Sequence, residues 1–243
     1  VAAAELGAAH RRRLREVWRS AGWPCRDAIE LDLLAGGLLQ RHWDGQGRET
    51  LAVSDAGIAL LAAARRRSQA ALGAHEALVE RVAREMQRAG RVVWRGLALR
   101  APLPDPEDTD GRTRWAVAMP DVYSIRHTTV EDYTEAAVHE IKVSRADLLS
   151  DLRRQDKGAA YLALASQCWY VLRRGIAEPD EVPTGYGVML ANDATLEVAR
   201  PAPRRPWKPT FPVWMALARA AAVAGPDESG QGLLGEPPES APP

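Results

Sequence analysis

Residues 136–152 read AAVHEIKVSRADLLSDL, an apolar strand-like run that carries Glu140 and Lys142 two positions apart. In a strand, side chains two apart point to the same face. Val138, Glu140 and Lys142 therefore share one face, and His139, Ile141 and Val143 the other. A run of this kind belongs inside a sheet, so its two charges need partners or a task. Lysine is also rare here. Of 32 basic residues only Lys142, Lys157 and Lys208 are lysines; the other 29 are arginine. An ammonium is a compact point charge that guanidinium does not replace.

Upstream, RWAVAMPDVYSI (114–125) reads as a neighbouring strand, in which Trp115, Val117 and Met119 share a face with Asp121. If it pairs with 136–143, Asp121 lies beside Glu140. Two carboxylates so placed repel unless a proton or a cation intervenes. A hard ion such as Mg²⁺, or Mn²⁺, takes one or two carboxylates plus water and phosphate oxygens. The carbonyl of Ile141 would add a ligand, and Glu76, on the preceding helix, would complete the set. Lys142 would orient or deprotonate the attacking water, or stabilise phosphate charge.

Around this centre the order from residue 75 is α-β-β-β-α-β, then further strands and a helix. HEALVERVAREMQRAG (75–90) is a helix with Leu78, Val79, Val82 and Met86 inward; 91–100, 114–125 and 136–143 are strands; 144–166 is helical, in two pieces. PLPDPEDTDG (102–111) reads as an acidic turn. Strands follow at CWYVLRR, GYGVMLA and TLEVAR, then a helix from Pro212. This is a mixed sheet with helices packed on it. Residues 1–72 read separately. They hold a helix at 10–21 with Trp18 on its inner face, a helix begun at Pro24, a hairpin around Asp44–Gly47, and a helix capped by Ser54 or Asp55. Gly73 marks the boundary. Residues 225–243 have little to bury and are expected to be disordered.

Two resemblances follow. The helix–helix–hairpin–helix order of residues 8–72, with GLLQR and VSDAGIALL, resembles a winged-helix domain, which implies contact with DNA or a partner protein. Pro120-Asp121, 18 residues, then Glu140-Ile141-Lys142 resembles the PD-(D/E)xK nuclease motif, and HEIKVSRADLLSDLRRQDKGAAYLALASQCWYVL with EVPTGYGVMLA is similar to the MmcB-type DNA-repair proteins. The resemblance covers about 75–222. It implies a restriction-endonuclease-like fold, Asp121 and Glu140 as metal ligands and Lys142 as the catalytic lysine. Lys157 and Tyr161 resemble a Gln-x-x-x-Tyr motif with Lys in place of Gln; they are candidate substrate contacts, as is Ser144, or else residues that only support the site. The alternative is a catalytically silent accessory that binds DNA or a repair-complex protein.

Other groups read as structure. His139 faces away from Glu140, Ser144 is most simply a helix N-cap, and Asp147 and Asp151 look like a solvated face. Trp43 and Trp94 are candidates to stack on bases. Arg11, Arg12, Arg13 and Arg65, Arg66, Arg67 are candidate phosphate contacts, although formal net charge is zero. Cys25 and Cys168 are far apart, which fits a reducing cytoplasm and no zinc site. No apolar run approaches the ~18 residues of a membrane span.

Overall fold

The structure, a computed structural model, describes residues 6–104 and 113–224. The expected tail at 225–243 and most of the acidic turn lie outside the described residues. The chain is mixed α/β, and it divides into two compact units at Leu72/Gly73.

The first unit holds α1 (Ala8–Arg19), α2 (Ala28–Ala35), the antiparallel pair β1 (Leu39–Trp43) and β2 (Glu49–Val53), and the start of α3 (Asp55–Arg88). Its core is Leu14, Val17, Leu33, Leu38, Leu39 and Leu51. Ser54 caps α3 by accepting the Gly57 amide at 3.1 Å. Two expectations are corrected. The second helix starts at Ala28 rather than Pro24, because Asp27 caps it by accepting the Glu30 amide. Trp18 is 59% exposed, since Leu14 and Val17 alone fill that side of α1.

Gly73 stands at the division between the two units, within a helix. It ends no helix, because α3 continues through it to Arg88. One glycine costs a helix only about 1 kcal/mol, and apolar positions on both sides keep the helical period. The chain turns at Gly90, whose φ of +72° suits glycine.

In the second unit six strands form one sheet, ordered β10-β9-β8-β7-β6-β3. These are β3 (Arg91–Arg95), β6 (Val122–Arg126), β7 (Ala137–Lys142), β8 (Gln167–Arg173), β9 (Gly187–Ala191) and β10 (Leu196–Arg200). β7, β8 and β9 run parallel and the outer pairings are antiparallel. The crossover from β7 to β8 consists of α4 (Arg145–Leu152) and α5 (Gln155–Leu164), the length a parallel connection needs. On one face Leu78, Val79 and Val82 of α3 meet Val93, Val122, Ile141 and Val171. On the other, α4, α5 and α6 (Phe211–Arg219) cover Tyr123, Val138, Tyr170 and Leu172.

The two long strands expected at 91–100 and 114–125 are each broken. β4 (Leu99–Pro104) and β5 (Thr113–Ala118) form a separate two-stranded ribbon. The chain bends at Gly96, φ +57°, whose amide donates to the Asp121 carbonyl at 3.2 Å, and at Pro120, which has no amide to give a ladder. Trp115, Val117 and Met119 consequently point outward, 50–71% exposed, instead of lining an apolar sheet. Among the described residues no helix is long and apolar enough to cross a membrane.

Candidate active site

All six residues of β7 are buried, with strands on both sides. Glu140 and Lys142 project together from it toward α4 and α5. Lys142 Nζ donates to Glu140 Oε1 at 2.9 Å, and Lys157 Nζ donates to the same oxygen at 2.6 Å. Glu140 Oε2 accepts from Tyr161 Oη at 2.8 Å. Lys157 and Tyr161 are four apart on α5, so they reach Glu140 from one helix face. Here both support Glu140 rather than face open solvent.

Asp151 is the residue that the sequence reading missed. It is not on a solvated face; it is buried, accepting from Lys157 at 2.5 Å and from Tyr170 Oη at 2.9 Å, with Lys142 Nζ 3.6 Å away. Asp147, one helical turn earlier, lies more exposed at 3.4 Å from Lys142. The i,i+4 spacing of the two acids was visible, but only the packing of α4 over β7 distinguishes them.

Asp121 sits at the bend before β6. Its Oδ2 accepts the Ile141 amide at 2.7 Å and lies 3.3 Å from His75 Nε2. The ladder pairs Val122 with His139, so Asp121 falls beside Glu140, as alternation predicted. Glu76 does not reach this corner. It is exposed, 3.5 Å from the far nitrogen of His75, so that His75 is the α3 residue facing Asp121. Ile141 meets Asp121 through its amide.

The electrostatics follow from this placement. Burial first, and then the charge of Glu140, push the Asp121 carboxyl above its ordinary range, against the pull of the Ile141 amide and His75. Burial lowers Lys142, but the charge and hydrogen bond of Glu140, with Asp151 and Asp147, outweigh it and hold the ammonium above its usual value. Burial raises Asp151, and the lysines beside it more than reverse that. Burial and the neighbouring Glu140 raise the Tyr161 phenol, so that it acts as a donor. Lys142 is thus held among carboxylates that favour its ammonium form.

Three carboxylates (Glu140, Asp147, Asp151) lie within 4 Å of one or both ammoniums, and Asp121 sits beside them on the Ile141 amide, a formal excess of two negative charges. An excess of two beside a mutually repelling pair fits one divalent cation with oxygen ligands. Among the described residues no group of three or more His, Cys, Asp or Glu is placed to hold a metal ion.

Ser144 caps α4, its hydroxyl accepting the Asp147 amide at 3.3 Å. His139 is buried on the opposite face, stacked on Trp169 with centroids 6.3 Å apart, a structural role. Trp94 is buried and cannot stack on a base, whereas Trp43 is exposed. In the first unit Arg13 turns to Asp27 at 2.7 Å, Arg11 donates to the Leu6 carbonyl and Arg12 pairs with Glu16. Arg65, Arg66 and Arg67 are exposed. Arg11 and Arg65, with Arg15, Arg19 and Trp18, line a cleft of about 780 Å³.

No family profile matches the chain, and no curated protein matches it. Among solved structures it is similar to a protein of unknown function from Silicibacter pomeroyi, at 22% identity over 57% of this chain and 82% of that one, with a TM-score of 0.37.

Proposed function

We propose that residues 73–224 are a nuclease-like domain of the PD-(D/E)xK kind, similar to the MmcB-type DNA-repair proteins, that hydrolyses phosphodiester bonds in DNA. The observation that carries this is the convergence of Asp121, Glu140 and Lys142 at one end of β7, with Lys157 and Tyr161 on the same carboxylate. A winged-helix-like first unit is supported by its element order, two helices, a hairpin and a third helix. It would bind DNA or a repair protein.

In this reading Asp121 and Glu140 hold a magnesium or manganese ion. Such an ion supplies an acidified water and neutralises phosphate charge. Lys142, held as an ammonium by three carboxylates, donates to phosphate oxygens as their charge grows. Lys157 neutralises Glu140 and Asp151 and in this reading turns to phosphate when substrate binds. Tyr161 fixes the orientation of Glu140 through a hydrogen bond. His75 steadies Asp121 at the bend.

The reading is tested on labelled duplex, nicked, flapped and single-stranded DNAs with Mg²⁺ or Mn²⁺. Wild-type protein is expected to cut at least one, and Asp121→Ala and Lys142→Ala to lose about a hundredfold or more of the rate. Cutting that survives both substitutions rejects it. A second reading, a DNA-binding accessory that does not cut, is favoured by one feature: both Glu140 oxygens already accept hydrogen bonds from Lys142, Lys157 and Tyr161. Binding without cleavage under either metal would select it.

A further inference from the structure

Beyond the carboxylate cluster, the opposite face of the sheet carries an arginine-lined cleft of about 570 Å³. Arg81 and Arg84 approach it from α3, one turn apart, and Arg173 and Arg174 from the end of β8. Val143, the residue after Lys142, forms part of its wall, so the cleft opens at the same end of the parallel strands as the proposed active site.

Carboxylates do not neutralise all four guanidiniums. Arg81 donates to the carbonyls of Asn192 and Thr195, both at 2.5 Å, which fixes the side chain without cancelling its charge. Arg173 is exposed and has no carboxylate within 4 Å among the described residues. Arg84 is 58% exposed and lies 3.7 Å from Glu80, a loose pairing. Arg174 is held by Glu197. Asp193 is the acid in the lining itself. Two exposed forks and one fixed fork around an open cleft suit planar, bidentate recognition of phosphate oxygens.

We propose that this cleft binds the phosphodiester backbone of DNA next to the phosphate at the acid–lysine cluster, with Arg84 and Arg173 making the contacts and Arg81 positioning the β9–β10 turn. The inference rests on the DNA reading above and adds a binding surface that the acid–lysine motif does not specify. Its place at the strand ends favours a substrate's own flanking backbone over an unrelated partner.

The test is duplex DNA binding by the full chain, without divalent metal, across about 50 to 200 mM salt. Each phosphate contact removed lowers the slope of log affinity against log salt by about one. The double variant Arg84→Gln/Arg173→Gln is therefore expected to bind more weakly, with a slope smaller by about two. Both side chains are exposed, so the fold is expected to survive, and an unchanged circular dichroism spectrum checks it. If the variant matches wild type in slope and affinity, the cleft is not a backbone site, while wild-type binding leaves the DNA reading intact. If wild type itself shows no salt-dependent binding, the DNA reading fails and takes the inference with it. A parallel titration with inorganic phosphate separates the sources. Phosphate binding lost in the variant, with DNA binding unaltered, would make this a small-anion pocket and overturn the proposal.

Discussion

Lys142 shows why this position is not arginine in a chain that otherwise uses arginine. Its nitrogen lies 2.9, 3.4 and 3.6 Å from three different carboxylates, a spherical arrangement that suits an ammonium and not a planar fork. The alternation of VHEIKV was enough to put Glu140 and Lys142 on one face. Asp151 was not legible in the same way, because a short helix with two acids one turn apart looks solvated until its packing is known. Asp151→Ala leaves Lys157 and Lys142 short of a buried counter-charge and is expected to destabilise the second unit by about 3 kcal/mol, read by urea unfolding. His139 gives the complementary case of a buried neutral base. Burial, and next Arg91, lower it to about 3, from an ordinary 6.5. Its folded pKa is depressed, so the unfolded chain takes the proton first as pH falls. Stability is then complete above about pH 6.5 and declines by about 1.4 kcal/mol per unit below it, toward pH 3. His139→Leu is expected to remove that one-proton slope in acid unfolding. An unchanged slope would place the acid sensitivity elsewhere.

At the scale of elements, the sequence predicted most strands and helices but not where two strands bend. Gly96 and Pro120 stood in plain view as breakers. Their consequence, a separate β4–β5 ribbon with Trp115, Val117 and Met119 outward, depends on Gly96 meeting Asp121 across the sheet. The same bend frees the Asp121 side chain from the ladder so that it accepts the Ile141 amide. Gly73 falls where the two compact units divide, but it interrupts no helix, since α3 runs through it. A β-carbon there would meet nothing within 4 Å. Gly73→Ala is therefore expected to stabilise by about 0.5–1 kcal/mol and to raise the helical signal. A loss of stability or of helicity would mean that the helix does not run through this position.

For the whole molecule, zero net charge conceals strong local imbalance. Acids outnumber ammoniums by two at the end of β7, and exposed arginines line a cleft on the other face. Neither could be derived from composition, since both are assembled from residues distant in the chain. Asp121 and His75 are 46 positions apart, and Asp121 and Lys157 36. In the proposed function Asp121 and Glu140 hold one divalent ion together. A calorimetric titration of Mn²⁺ into wild type and Asp121→Asn, at a pH where carboxylates are ionised, asks this directly. The expected result is uptake of one ion by wild type, with a rise in its melting temperature, and weak or no uptake by the variant. Absence of uptake by wild type, or equal uptake by the variant, would contradict the assignment of these carboxylates as the centre of the site.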